Sequence, residues 1–140
     1  MNIFSIESFF SHCSIVIFGA SPNEKKSGNH VLKNVLNYTT EGIYLIHPRR
    51  DRIYGIPCHE SIFDLPIKGE EVDLAIIILP VKHVLDALDD CIEFGVKTVI
   101  LESGALYLKG ENDAENERKV QVIKEKIKKW DRTRVMGPNS

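Results

Sequence analysis

Short apolar runs alternate with polar turns that contain glycine or proline along the whole chain. The apolar runs cover residues 14–18, 43–46, 73–79, 97–101 and 133–136. The third run is apolar at almost every position, which is typical of a strand buried on both faces at the centre of a parallel sheet. The pattern therefore predicts five buried β-strands, and a further very short strand is predicted over residues 53–57.

Between these strands, apolar residues recur at the spacing of an α-helix. A first helix is expected to start near Gly28 or Asn29, and a second has an apolar face over residues 81–92 with Gly95 at its C-cap. A third, charged helix is predicted over residues 111–130. Two smaller elements complete the pattern, a short amphipathic helix over residues 3–11 and one helical turn over residues 61–66.

Strands that alternate with helices indicate βαβ units and a parallel sheet. The predicted fold class is α/β, a doubly wound Rossmann-like parallel sheet with helices on both faces. The length of 140 residues predicts a single domain over residues 1–140. The sequence stops directly after a strand-end turn, where such a fold normally continues with a helix. The chain is therefore either a complete domain or the N-terminal fragment of a longer chain.

Ligands of doubly wound sheets bind at the carboxyl ends of the strands, so the turns after the five main strands should lie together. These turns are Gly19-Ala20-Ser21, His47-Pro48-Arg49-Arg50, Pro80-Val81-Lys82, Glu102-Ser103-Gly104 and Gly137-Pro138-Asn139-Ser140. The first turn leads into the predicted helix at Gly28, whose unpaired N–H groups suit a phosphate. It lacks the GxGxxG dinucleotide pattern. Lys25 and Lys26 either close over a pyrophosphate or are simply solvated.

The second turn narrows the choice of ligand. NAD-binding domains carry an acidic residue at the end of the second strand, but this chain has Pro48, Arg49 and Arg50 there. Guanidinium groups suit a phosphate monoester on the adenosine ribose, which both NADP and coenzyme A (CoA) can carry. The alternative interpretation is a solvated basic loop.

Composition and charge exclude several classes of protein. The net charge of −2 gives no support for nucleic-acid binding, and no apolar run is long enough to span a membrane. Three widely spaced cysteines without a CxxC pair indicate reduced thiols and a cytoplasmic location. The five histidines form no metal motif and no serine lies in a GxSxG elbow, so we expect neither a metal site nor catalysis by this chain alone.

Five segments in order resemble one known family. They read SIVIFGAS, HPRR followed by IYGIPCHESIFDLP, VDLAIIILPVKHV, GVKTVILESGAL and RVMGPNS. Together they resemble the CoA-binding domain, which is the N-terminal domain of NDP-forming acyl-CoA synthetases and of the succinyl-CoA synthetase alpha subunit. Relatives often carry Asn or Thr where this chain has His47, and Lys where it has Arg50.

The resemblance implies that the turn at residues 19–21 holds the CoA phosphates and that Arg50 contacts the CoA nucleotide. It also implies that two later strand ends line the CoA groove, with the family's GPN turn at Asn139. The residues of those two strand ends are Pro80, Val81, Leu101, Glu102 and Ser103. In the synthetases the phosphorylated histidine lies in a later domain, and none of the histidines here matches it.

The leading interpretation is a domain that binds CoA or an acyl-CoA at the carboxyl edge of the sheet. It belongs either to an acid–thiol ligase of the acyl-CoA synthetase type or to a stand-alone CoA-binding protein. The alternative is the NADP-binding domain of an oxidoreductase, and a third reading is a regulatory module without a ligand. A partner domain or subunit of a synthetase and a homo-oligomer are both open.

Overall fold

The computed structural model of the chain describes residues 14–39, 41–102 and 134–136, together with positions 114, 117, 118, 121, 122, 125 and 128. The strands are β1 (Ile15–Phe18), β2 (Ile43–Ile46), β3 (Arg52–Ile53), β4 (Ile56–His59), β5 (Leu74–Ile77), β6 (Thr98–Leu101) and β7 (Arg134–Met136). The helices with described ends are α1 (Ser27–Leu36) and α2 (Val81–Phe94). Short 3-10 turns cover Ile62–Asp64 and Gly69–Glu71.

The described strands form one sheet in the order β3-β4-β2-β1-β5-β6-β7. All neighbours pair in parallel except β3 and β4, which are antiparallel. Without β3, the order is that of the doubly wound dinucleotide-binding fold. The direction of winding reverses between β1 and β5, which is where a ligand crevice is expected. The predicted Rossmann-like α/β fold is therefore confirmed.

The two helices pack on opposite faces of the sheet. Because side chains alternate along a strand, Ile15 and Ile17 of β1 face α1, while Val16 and Phe18 face α2. The four residues of β1 and the four of β5 are all buried. This explains the uninterrupted apolar runs in the sequence, since a central parallel strand is covered on both sides.

The end of α2 is fixed by two glycines. Gly95 adopts a left-handed conformation with φ of +99°, and its N–H donates to the carbonyl oxygen of Cys91. This confirms the predicted C-cap. Gly69 packs so closely beneath the helix end that a Cβ there would overlap the carbonyl oxygen of Phe94. The packing of the 3-10 turn Gly69–Glu71 against the end of α2 therefore requires glycine at residue 69.

One predicted element was wrong in detail. Instead of one very short strand over residues 53–57, β3 and β4 form a hairpin joined by Tyr54 and Gly55. Both turn residues have positive φ, of 51° and 76°, as a tight two-residue hairpin requires. The β4 strand then continues to His59 and pairs in parallel with β2. The sequence pattern does not predict this strand, because Pro57 interrupts the apolar run. The structure tolerates Pro57 because β4 lies near the edge of the sheet.

The described positions between residues 114 and 128 are helical and exposed. They agree with the solvated face of the predicted charged helix, whereas its apolar stripe lies outside the described residues. The predicted N-terminal helix over residues 3–11 also lies outside them. The helical turn predicted over residues 61–66 is present as Ile62–Asp64, and Ser61 caps it by accepting the N–H of Phe63.

Candidate functional site

A cavity of about 750 Å³ opens at the carboxyl ends of the central strands. Its walls come from the turns after β1, β2, β5 and β6 and from the start of α1. The lining residues are Gly19, Ala20, Ser21, Lys26, Ser27, Gly28, Ile46, His47, Pro48, Ile78, Leu79, Pro80 and Glu102. The cavity occupies the place where the direction of winding reverses, which is the usual ligand position in this class of sheet.

The turn after β1 is held by two close backbone approaches. Gly19 has φ of +92°, and a Cβ there would overlap the carbonyl oxygen of Ile78. A Cβ on Gly28 would overlap the carbonyl oxygen of Gly19. The start of α1 is therefore pressed directly against the turn, and only glycine fits at either position. We call residues 19–28 the glycine loop.

The first turn of α1 forms part of the cavity wall. Ser27 and Gly28 line the cavity, and the N-cap residue Lys26 makes no side-chain capping hydrogen bond in the described structure. The first turn also holds no acidic residue. Since unpaired N–H groups at a helix start carry the positive end of the helix dipole, this corner can accept an anion such as a phosphate.

Asn29 braces the glycine loop from inside the protein. It is 1% exposed, and its Nδ2 donates to the carbonyl oxygen of Ser21 at 2.9 Å and to the hydroxyl of Tyr54 at 2.7 Å. The loop is further shaped by Asn23, whose N–H donates to Ser21 Oγ at 3.1 Å. Asn29 thus ties the glycine loop to the β3–β4 hairpin. The sequence signal for this role of Asn29 is a polar residue on the apolar face of an amphipathic helix, and the sequence analysis did not use it.

The turn after β2, which we call the arginine turn (residues 47–50), is organised by one imidazole. The N–H of Arg49 and the N–H of Arg50 both donate to His47 Nδ1, at 3.1 and 3.0 Å. A ring nitrogen that accepts carries no proton, so the proton of the neutral ring is on Nε2. Burial, followed by the charges of Arg50 and Arg49, lowers the pKa of His47. The ring is therefore neutral at pH 7.

Eight of the residues proposed from the sequence lie on the cavity wall. They are Gly19, Ala20, Ser21, Lys26, Gly28, Pro48, Pro80 and Glu102. Lys25, Arg49 and Arg50 are exposed and lie beside the wall rather than on it, and Val81 begins α2. Leu101 is buried in the core on the α2 face of the sheet. Ser103 and Asn139 lie outside the described residues.

The structure adds four lining residues that the sequence did not single out, which are Ser27, Ile46, Ile78 and Leu79. It also places on the wall His47, which the sequence predicts at the ligand edge only as the first residue of the turn after β2. The three aliphatic side chains among them make one wall apolar. Ile78 and Leu79 lie beyond the end of β5, which stops at Ile77 and so earlier than predicted, whereas Ile46 is the last residue of β2, as predicted. The cavity thus combines a helix start and Lys26 at one end, an apolar wall, and the carboxyl group of Glu102.

Neither described cysteine has the properties of a reactive thiol. Burial raises the pKa of Cys91, which lies in the core, and burial also raises the pKa of half-buried Cys58. Both thiols are therefore protonated at neutral pH. Among the residues that the structure describes, no group of three or more His, Cys, Asp or Glu side chains could hold a metal ion.

No helix in the described part of the chain is both long and apolar enough to cross a membrane.

Comparison with known proteins gives one consistent family. Residues 13–140 match the family model described as CoA binding domain. The chain is 34% identical over 134 residues to the alpha subunit of the ADP-forming acetate–CoA ligase II of Pyrococcus furiosus, covering 96% of this chain and 28% of that subunit. It is also 34% identical over 126 residues to the ADP-forming acetate–CoA ligase of Methanocaldococcus jannaschii, covering 90% of this chain and 16% of that enzyme.

A solved structure gives the same result. The dinucleotide-forming acetyl-coenzyme A synthetase 1 of Ca. Korarchaeum cryptofilum, in complex with phosphate and ADP, superimposes with a TM-score of 0.72 and 31% identity. The match covers 98% of this chain and 28% of that chain. The chain therefore spans less than a third of the length of these relatives. Its sequence places it in the CoA binding domain family, among the homologues of NDP-forming acyl-CoA synthetases.

Proposed function

We propose that this domain binds CoA or an acyl-CoA in the cavity at the carboxyl ends of the strands. The observation that carries the proposal is the start of α1, where Ser27 and Gly28 line the cavity and Gly28 packs directly against Gly19. Family membership supports CoA as the ligand. A diphosphate placed there would receive backbone hydrogen bonds and the favourable end of the helix dipole without displacing any acidic side chain of the helix.

The remaining parts of CoA follow from the chemistry of the cavity. Arg49 and Arg50 are exposed next to the wall, where their guanidinium groups can reach the ribose 3′-phosphate. The largely apolar pantetheine arm suits the aliphatic wall at Ile46, Ile78 and Leu79. Lys25 and Lys26 supply positive charge near the diphosphate. Ser103 and Asn139 remain candidates at the other strand ends.

We further propose that the domain serves an NDP-forming acyl-CoA synthetase, as its relatives are ADP-forming CoA ligases. The chain spans only a fraction of those enzymes, so the acyl-transfer and phosphoryl-transfer groups would come from a partner domain or subunit. The described residues offer a binding cavity without a cysteine on its wall, and the thiols of Cys58 and Cys91 elsewhere in the domain are protonated. Its own role is therefore to hold CoA while the chemistry is done elsewhere.

The direct test is calorimetric titration of the purified chain with CoA, dephospho-CoA and NADPH. We expect CoA to bind, dephospho-CoA to bind more weakly, and NADPH to give no saturable heat. In a thermal melt, CoA at about 100 times its dissociation constant adds roughly 2.7 kcal/mol of stability. NADPH binding in place of CoA would support the oxidoreductase alternative, for which the comparisons give no support. No response to any ligand would support a module without a functional pocket.

Two lysines provide a matched pair of variants. Lys26→Ala removes a charge from the cavity wall, whereas Lys97→Ala removes one from the opposite edge of the sheet, where Lys97 pairs with Asp73 at 3.0 Å. We expect only Lys26→Ala to weaken CoA, by about threefold to tenfold, which corresponds to about 0.7–1.4 kcal/mol. Equal effects from the two variants would show that the ligand responds to net charge and not to this cavity.

A further inference from the structure

His47 lies where the apolar cavity wall meets the two arginines. His47 lines the cavity with Ile46 and Pro48, and its Nδ1 accepts the backbone N–H groups of Arg49 and Arg50 at 3.1 and 3.0 Å. The backbone N–H of His47 itself donates to the carbonyl oxygen of His59 on β4 at 2.9 Å, which fixes the residue at the end of the sheet. The backbone of His47 is therefore anchored, while residues 49 and 50, which its ring holds, are exposed.

We propose that His47 is a positioning residue that makes ligand binding proton-dependent. The neutral imidazole holds residues 49 and 50 in the turn that presents their guanidinium groups, and protonation of the ring releases that turn. The inference rests on the proposed function, since the phosphate to be recognised is the ribose 3′-phosphate of CoA. His47 acts through the backbone of the arginine turn, so its effect on that phosphate is indirect.

The release follows from the hydrogen-bond chemistry of the ring. The neutral ring already carries its proton on Nε2, so a second proton can bind only at Nδ1. A protonated Nδ1 is a donor, and it would face two backbone donors that have lost their acceptor. The ring would also become a cation beside two guanidinium groups. Burial and those two charges already lower the pKa of His47, in agreement with a neutral ring in the folded protein.

Charged and titratable groups lie on four elements at this end of the sheet. They are Arg49, Arg50 and Asp51 after β2, Cys58 and His59 on the neighbouring strand β4, and Lys26 before α1 and Glu102 after β6 on the same cavity wall. Of these, the charges of Arg50 and Arg49 act on the pKa of His47, and both lower it. A bound phosphate would act in the opposite direction and favour a protonated ring. The sign of the pH dependence therefore separates a positioning role from a role as a phosphate-binding cation.

The experiment compares three chains by calorimetric titration with CoA between about pH 8 and pH 5.5. In His47→Asn, Oδ1 can replace Nδ1 as the acceptor but does not titrate. In His47→Ala, the acceptor is lost. His30→Asn makes the same chemical change at an exposed position of α1 and serves as the control. The second ionisation of the phosphate also falls near pH 6. The CoA affinity of each chain is therefore divided by the affinity of His47→Asn at the same pH.

At pH 8 we expect His47→Ala to bind CoA about tenfold more weakly, consistent with the loss of two backbone hydrogen bonds. His47→Asn should restore most of the affinity, and His30→Asn should match the original chain. Below about pH 6.5, the affinity of the original chain should fall severalfold relative to His47→Asn. Dephospho-CoA should bind the original chain and His47→Ala with similar affinity, because it lacks the phosphate that the turn presents.

A ligand-free measurement keeps this inference separate from the proposed function. Long-range nitrogen NMR spectra should show Nδ1 without a proton and Nε2 with one at pH 7, and the amide signals of Arg49 and Arg50 should titrate together with the ring. A proton on Nδ1, undiminished CoA affinity in His47→Ala, or tighter binding on acidification relative to His47→Asn would overturn the inference. If CoA fails to bind at pH 8 while the spectra are as described, the proposed function and the link to CoA fail, but His47 still holds the turn.

Discussion

The two ends of the cavity are built in opposite ways. The glycine loop is fixed by close backbone contacts, because Gly19 and Gly28 leave no space for a side chain and Asn29 braces the loop from the interior. The arginine turn is exposed, and two of its backbone N–H groups converge on a single acceptor, His47 Nδ1. The first end depends on shape, and the second depends on one titratable acceptor.

This difference assigns the two ends different tasks. A helix start recognises any phosphate through backbone groups, so the glycine loop cannot distinguish one dinucleotide-like ligand from another. Arginine side chains on a turn held by His47 can make this distinction, because they require a phosphate monoester at one distance from the diphosphate. We infer that affinity comes mainly from the glycine loop, and that the choice of CoA over dephospho-CoA comes from the arginine turn.

The largest effect should come from a Cβ introduced into the glycine loop. Gly19→Ala should lower the free energy of unfolding by about 3 kcal/mol, since it adds overlap with the Ile78 carbonyl to the strain of a positive φ. Gly55→Ala is the matched control, because Gly55 also has positive φ but nothing lies within 4 Å of its added Cβ. It should cost only about 1 kcal/mol. Urea unfolding measures both, and equal losses would rule out the steric account.

The brace of the glycine loop should give the next largest effect. Asn29→Ala should cost about 2 kcal/mol of unfolding free energy, because it removes two hydrogen bonds of a buried side chain. Tyr54→Phe, which removes the hydroxyl that accepts one of them, should cost about 1 kcal/mol.

Asn34→Ala is the control for this pair of variants, since Asn34 is exposed on the same helix and should change stability by less than about 0.5 kcal/mol. The double variant Asn29→Ala/Tyr54→Phe should lose less than the sum of the single changes. Strict additivity would mean that the two side chains do not act as one brace.

A change in the arginine turn should affect discrimination more than stability. Arg50→Ala should weaken CoA by about tenfold, or about 1.4 kcal/mol, and leave dephospho-CoA nearly unchanged. Arg52→Ala removes a nearby guanidinium group that instead donates to the carbonyl oxygen of Gly55 at 3.1 Å. Calorimetric titration of both variants with CoA and dephospho-CoA measures this discrimination. A similar loss for the two ligands would remove Arg50 as a reader of the 3′-phosphate.

The smallest effect should appear in the ligand-free protein as a function of pH. The unfolded chain takes up a proton at His47 near its ordinary pKa of 6.5, whereas the folded pKa is lower. The unfolded state therefore binds more protons as the pH falls below about 6.5, and the folded state loses stability there. Because the ring is only partly buried, the loss should be at most about 1 kcal/mol. Urea unfolding at about pH 8 and pH 5.5 should show this loss in the original chain but not in His47→Asn.

Local pattern was enough to predict the elements that make the cavity. The apolar run ending at Phe18, the glycine after it and the buried helical face beyond Gly28 predict a strand, a turn and a helix in the order observed. The same reasoning predicts the αL cap at Gly95, because glycine after an amphipathic helix has a direct conformational cause. Strand alternation then predicts which turns meet at one sheet edge.

The contacts between elements could not be predicted in the same way. The hydrogen bond from Asn29 to Tyr54 joins residues 25 positions apart, and the hydrophobic periodicity of the sequence does not predict it. For His47 the sequence predicts only a place in the turn after β2, since its role in that turn depends on the tautomer set by two backbone donors. Leu101 was expected in the ligand groove, but the alternation of β6 directs its side chain into the α2 face of the core.

The two-residue strand β3 has a consequence for behaviour at high concentration. A parallel sheet that ended at β4 would present a free row of backbone groups, onto which a strand of another molecule could add. Here β3 covers that row, and it is too short to serve as a template itself. Its first residue, Arg52, is exposed and charged, and Pro57 opposite offers no N–H. This side of the sheet is therefore protected against edge-to-edge aggregation.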